Sequence, residues 1–201
     1  WTRFLPHYLK MREMLAQGKV GNIKYMNAEF GFKPTPPFAP RIYDPALGGG
    51  SLLDIGIYPI FLALDVLGKP DEIEAVMTPA ATGVDDQCSV RFKYKSGAIA
   101  HLFSSFASNL ATGADIAGDA GRIRFTHRFH GPTAQLEYYP TTVDTREVIS
   151  YEPAKGNGYE YEAQHVVECL HKNLTESPVM TLAKTLLMME VSDLIRTKAG
   201  I

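Results

Sequence analysis

The chain has 201 residues, enough for one large domain or two small ones with a sizeable core. Its 45% hydrophobic and 21% charged residues are the ordinary mixture of a soluble globular protein. Twenty basic against twenty-two acidic residues leave a net charge of −2, which gives no electrostatic ground for binding nucleic acid or an anionic membrane. Two cysteines, Cys88 and Cys169, are too few for a disulfide framework, so a reducing cytoplasm is the expected compartment. No uninterrupted apolar run approaches the roughly 18 residues of a membrane span; the longest covers residues 60–64. The chain opens on Trp1-Thr2-Arg3-Phe4, without an initiator Met or a signal-like segment. The expectation is a piece of a longer protein, with part of its active site upstream.

In chain order, Leu5, Tyr8, Leu9, Met11, Met14 and Leu15 fall at helical spacing and predict a helix over residues 5–17, stopped by Gly18. Gly21-Asn22 turns into a strand near residues 23–32. Five prolines between Pro34 and Pro45 exclude a helix and predict an exposed loop. After Gly48-Gly49-Gly50, Ser51 reads as an N-cap for an apolar helix running to Leu67, with Pro59 tolerable near its start.

Strand signals then fill residues 71–150. Cys88, Val90, Phe92 and Tyr94 alternate with polar residues, and Lys95-Ser96-Gly97 makes a hairpin turn into a strand with apolar residues on both faces. Such a strand is expected to have helices on one side and a partner subunit or second layer on the other. Further strands are predicted near residues 112–117, 122–126, 135–139 and 142–150. Two helices close the chain, over residues 159–172 and 182–198, each with an apolar face. The order predicts an α+β fold: one domain over residues 1–201, an open, mostly antiparallel sheet with helices on one face.

The search for chemistry first excludes motifs. Gly156-Asn157-Gly158 lacks a third glycine and a βαβ context, and no P-loop lysine follows Gly48–Gly50. His165 and Cys169, four apart, can share a helix face, but no second ligand pair completes a zinc pattern, and no metal is expected. The dense segment is GGGSLLDIGIY at residues 48–58. Its glycines let the backbone approach a ligand or another chain closely. Asp54 and Tyr58, one helical turn apart within an apolar run, must be paired or functional. Two readings stay open from spacing: a capping carboxylate with a packed phenol, or a reacting pair. Six basic residues among the first forty (Arg3, Lys10, Arg12, Lys19, Lys24, Lys33) form either a solvated face or a surface for an anionic cofactor or partner.

WTRFLP (1–6), AEFGF (28–32), GGGSLLDIGIY (48–58), TGVDD (82–86) and YEAQHVVECL (161–170) together resemble the Gfo/Idh/MocA oxidoreductase family. The resemblance is strongest to the branch of trans-1,2-dihydrodiol and NADP-dependent D-xylose dehydrogenases. It implies the C-terminal domain of a two-domain NAD(P)-dependent dehydrogenase, with a Rossmann domain and its Glu-Lys-Pro lysine lying outside these residues. It carries Asp54 onto the family's substrate-site aspartate, Tyr58 onto the catalytic tyrosine, Trp1 onto an aromatic of the pocket and, more loosely, Lys24 onto a basic residue near it. Arg41, in the Pro-rich loop with Phe38 and Tyr43, is placed in the substrate pocket. The function implied is hydride transfer between NAD or NADP and a sugar or cyclic diol. The 201 residues alone are expected to be inactive and the protein to dimerise through the open sheet face. The alternative is a non-catalytic ligand-binding or dimerisation module.

Overall fold

The computed structural model describes residues 1–36, 40–142 and 145–200. Helix α1 (Pro6–Ala16) leads into strand β1 (Ile23–Gly31), and a π-helical stretch (Leu52–Gly56) runs directly into α2 (Ile57–Leu67). Seven strands follow: β2 (Glu72–Pro79), β3 (Asp85–Lys93), β4 (Ile99–Ser105), β5 (Ala114–Gly118), β6 (Gly121–Phe125), β7 (Leu136–Pro140) and β8 (Glu147–Ile149). Helices α3 (Tyr159–His171) and α4 (Leu182–Ala199) end the chain.

The eight strands form a single sheet in the order β2-β3-β4-β1-β5-β6-β7-β8. Every pairing is antiparallel except β1 with β4, which run parallel in the register Tyr25↔Ile99 to Gly31↔Ser105. The first strand thus inserts between the β2–β4 meander and the β5–β8 meander. The open, mostly antiparallel α+β sheet expected from the sequence is the fold observed.

One face of the sheet carries the core. Met26 and Ala28 of β1, Cys88, Val90 and Phe92 of β3, Ala100 and Leu102 of β4, and Ile116, Ile123 and Leu136 beyond them are buried in one cluster. Tyr8, Met11 and Met14 of α1, Ile60, Leu62 and Ala63 of α2, and Val191 and Ile195 of α4 complete it. Residues of the other parity lie open: Tyr25, Val76 and Ile99 are exposed. They sit among cross-strand pairs such as Lys93 with Glu72 (3.1 Å) and Arg122 over the Tyr139 ring (4.1 Å).

Three local expectations need correction. Ser51 is not a side-chain N-cap: its backbone is already helical, and its hydroxyl bonds instead to Asp85 (2.7 Å) and Ser104 (2.9 Å). The cap comes from Asp85, 34 residues away, whose Oδ2 accepts the Leu52 N–H at 2.7 Å. The last predicted strand, 142–150, shrinks to β8; residues 143 and 144 lie outside the described residues. Helix α3 does not bury its apolar face: of its side chains only Cys169 is buried, and Tyr159, Val166, Val167 and Leu170 stand exposed.

The segment from Pro45 to Leu67 has the length and hydropathy of a membrane span, a property that short uninterrupted runs concealed. In the fold half of it is buried, with Leu52, Ile55, Ile60 and Leu62 packed inside the protein, and it carries Asp54 and Asp65. It is a core element here.

Candidate active site

The site grows from the junction between the π-helical stretch and α2. Two of the three glycines before it serve the chain's own packing. A Cβ on Gly49 would fall 2.7 Å from the Asp44 amide and 2.8 Å from the Arg41 carbonyl, and one on Gly50, at φ +113°, would collide with the Asp85 carboxylate. Asp85 can therefore reach the start of the helix and fix it. Gly56 then lets the stretch lie on β4, because a Cβ there would stand 3.0 Å from Ser104 Oγ. The wide π winding ends where α2 begins, and Pro59, lacking an amide hydrogen, occupies the first turn of α2.

This arrangement leaves Asp54 and Tyr58 half-buried on the rim of the fold. Asp54 Oδ1 is 2.6 Å from Arg41 Nη2, and the carboxylate is the less exposed partner, at 14% against 55%. Tyr43, from the same loop, bonds Asp86 at 3.2 Å. Phe38 lies outside the described residues. Among the described residues no hydrogen bond holds the Tyr58 hydroxyl, and none joins it to Asp54. Its ring is instead held by other rings, with centroids at 4.7 Å to His130 and 5.7 Å to Phe30.

Trp1 closes the other side. Its indole sits 4.7 Å from the Tyr159 ring and 6.2 Å, edge-on, from His130. Between Trp1 and Tyr58 lies a mostly apolar cleft of about 180 Å³, walled by Ile57, Phe61, Met180 and Met188 and flanked by Arg3. A second cavity of about 120 Å³ adjoins it across Phe61, Met180 and Met188. There the buried Asp65 carboxylate takes the Tyr8 hydroxyl (2.9 Å), Arg3 (3.3 Å), Lys184 (3.6 Å) and Arg12 (3.8 Å).

The structure sets Trp1 and Tyr58 on one cleft and pairs Asp54 with Arg41 beside it, outside the cleft's lining; Lys24 joins neither group. That lysine is exposed at the opposite end of β1, six residues or about 20 Å of strand from Phe30, where Asp119 feels its charge. The basic residues of the first forty do not form one surface either. Arg3 and Arg12 converge on Asp65, Lys10 pairs with Glu13 (2.9 Å), and Lys19 lies over the Tyr138 ring. His165 and Cys169 do meet, at 3.4 Å, and Ser177 bonds the same imidazole nitrogen at 2.7 Å. Among the described residues no third His, Cys, Asp or Glu joins them to hold a metal ion.

His130 and Phe30 are members of the site that sequence reasoning missed. The His130 imidazole stacks on Phe30 (4.2 Å, 23°) and touches Tyr58, Trp1 and Phe129. Burial, with the charges of Arg128, His7 and His127, pulls its pKa down to about 4, so the ring is neutral at pH 7.

Comparison with known proteins decides the family. Residues 8–124 match the GFO/IDH/MocA C-terminal domain. The chain belongs to the GFO/IDH/MocA family. Among curated relatives, trans-1,2-dihydrobenzene-1,2-diol dehydrogenases from Mus musculus and Sus scrofa are 36% and 35% identical over the whole chain, which spans 61% of their length. Aldose-aldose oxidoreductase from Caulobacter crescentus shares the fold with a TM-score of 0.85 at 21% identity, over 98% of this chain and 59% of that one. A levoglucosan dehydrogenase bound to NADH and L-sorbose does so at 0.81 and 20%, over 99% and 62%. The fold is thus that of the C-terminal domain of GFO/IDH/MocA oxidoreductases.

Proposed function

We propose that this chain is the substrate-binding and catalytic half of an NAD(P)-dependent dehydrogenase acting on a sugar or cyclic diol. The observation that carries the reading is the Tyr58 phenol. It lies on a ring-sized apolar cleft without a hydrogen bond from the described residues, one turn from a carboxylate already fixed by Arg41.

Oxidising a secondary alcohol to a carbonyl requires removal of a hydride from carbon and a proton from oxygen. A nicotinamide, when bound, supplies the hydride acceptor. In the reading proposed here, Tyr58 Oη takes the hydroxyl proton. A phenol ionises near pH 10, so it needs a nearby cation to act as a base at neutral pH. The family's Glu-Lys-Pro lysine, outside these residues, is the proposed source of that charge. Asp54 accepts a hydrogen bond from a second substrate hydroxyl, with Arg41 holding the carboxylate in place. Trp1, Phe61 and the two methionines wall the ring and exclude water.

Among the described residues there is no strand–glycine loop–helix cradle for a dinucleotide, and Gly49 and Gly50 are closed off by their own chain. The chain spans about three fifths of its curated relatives' length. We place NAD or NADP binding in the remaining part of the polypeptide. The exposed apolar face of α3 and α4 (Val166, Leu170, Leu182, Leu186) is the surface it would cover. The open sheet face, with Tyr25 and Ile99, is the proposed homodimer contact.

A substrate screen with the full-length protein tests the reading. Nicotinamide reduction should appear with some aldose or cyclic diol; none across a broad panel of both, with either cofactor, would refute it.

A further inference from the structure

We propose that His130 is a positioning residue: its imidazole, flat against Phe30 and tilted against Tyr58, sets the direction of the Tyr58 phenol. This rests on the reading of Tyr58 as the proton-transfer residue.

The argument starts from how Tyr58 is held. A tyrosine that transfers a proton needs its oxygen placed to within a fraction of an ångström, and a misplacement of about 1 Å costs on the order of a hundredfold in rate. Hydrogen bonds to neighbouring side chains usually supply that constraint. Here, among the described residues, none does: Asp54 is tied to Arg41 and no donor or acceptor meets the phenol oxygen. Packing alone is left to orient it, and of its two ring neighbours His130 is the nearer, at 4.7 Å against 5.7 Å for Phe30.

His130 is itself firmly held. It stacks on Phe30 at 4.2 Å, meets the edges of Trp1 and Phe129, and its carbonyl accepts the Thr2 hydroxyl at 2.9 Å. Its Nδ1 is buried without a hydrogen-bond partner. The nitrogen therefore adds nothing to the folded state, and the flat ring is what the site uses.

The test compares His130→Ala, His130→Gln and His130→Phe with Tyr58→Phe in the full-length protein, by steady-state kinetics and thermal unfolding. His130→Ala and His130→Gln should lower kcat at least tenfold with cofactor KM unchanged. His130→Phe should restore kcat to within threefold and melt at a higher temperature, because it keeps the ring and removes the orphaned nitrogen. An inactive but folded His130→Phe, or a fully active His130→Ala, overturns the proposal. If the Ala and Gln variants fail to fold, His130→Phe alone decides it. Tyr58→Phe separates the two readings. Its retained turnover refutes proton transfer by Tyr58, whereas its loss beside a fully active His130→Ala refutes only the role of His130.

Discussion

Arg41 Nη2 stands 2.6 Å from Asp54 Oδ1, so a loop residue that is more than half exposed holds a carboxylate that is mostly buried. An exposed partner makes such a pair worth little to folding, about 0.2–1 kcal/mol. In the function proposed above, the pair aims the other carboxylate oxygen. Arg41→Gln is predicted to leave the melting temperature within a few degrees of wild type while raising substrate KM about three- to tenfold. Steady-state kinetics beside a thermal melt checks both halves, and an unchanged KM would remove Arg41 from the pocket.

Asp85 accepts from both the Ser51 hydroxyl and the Leu52 amide, each at 2.7 Å in the interior. Asp85→Ala leaves the buried Leu52 amide without an acceptor and the Ser51 hydroxyl with Ser104 alone, a loss of about 1–3 kcal/mol for the unsatisfied amide. The variant should unfold at clearly lower urea concentration, and activity should fall with it because the same turn carries Asp54. A melting curve that does not move would mean that water replaces the carboxylate.

Stability should also decline on acidification. The folded-state pKa values of His7 and His130 lie below the ordinary 6.5, mainly through burial, and that of His130 is about 4. Between pH 6.5 and 4 the unfolded chain binds the proton that the folded chain refuses, so unfolding becomes easier as pH falls. For His130 the ceiling is about 3 kcal/mol, set by a shift of 6.5 to about 4. Urea titrations across this window should show the slope, and His130→Phe should flatten it.

The open sheet face predicts association. Tyr25 and Ile99 are apolar neighbours on paired strands, 42% and 37% exposed. Light scattering of the full-length protein should give a dimer at micromolar concentration, with Ile99→Asp shifting it toward monomer. A strict monomer for the unaltered protein would count against this contact.

Much of the fold was legible because period and punctuation agree. The 3.6-residue spacing around Tyr8 and Met11, the alternation from Cys88 to Phe92 and the Ser96-Gly97 turn each report a local preference that the tertiary structure keeps. Asp54 and Tyr58 were legible as a pair because two polar groups interrupt an otherwise apolar run. What escaped depends on contacts across long stretches of chain. The Asp85 cap spans 34 residues, and the Phe30–His130 stack spans a hundred. His130 sits in a turn after β6, where no periodicity marks a pocket residue. Lys24 failed for the opposite reason: a position in a motif does not say which end of a nine-residue strand faces the site. The apolar face of α3 read as a core face, but no such core forms within these residues.

The most direct test of the central claim is the turnover of Tyr58→Phe in the full-length protein. Removing one oxygen from a ring that His130 and Phe30 hold by tilted contacts leaves the packing intact. The account predicts a fall in kcat of at least a hundredfold, with cofactor affinity and melting temperature unchanged. A variant that keeps its turnover to within tenfold would contradict it.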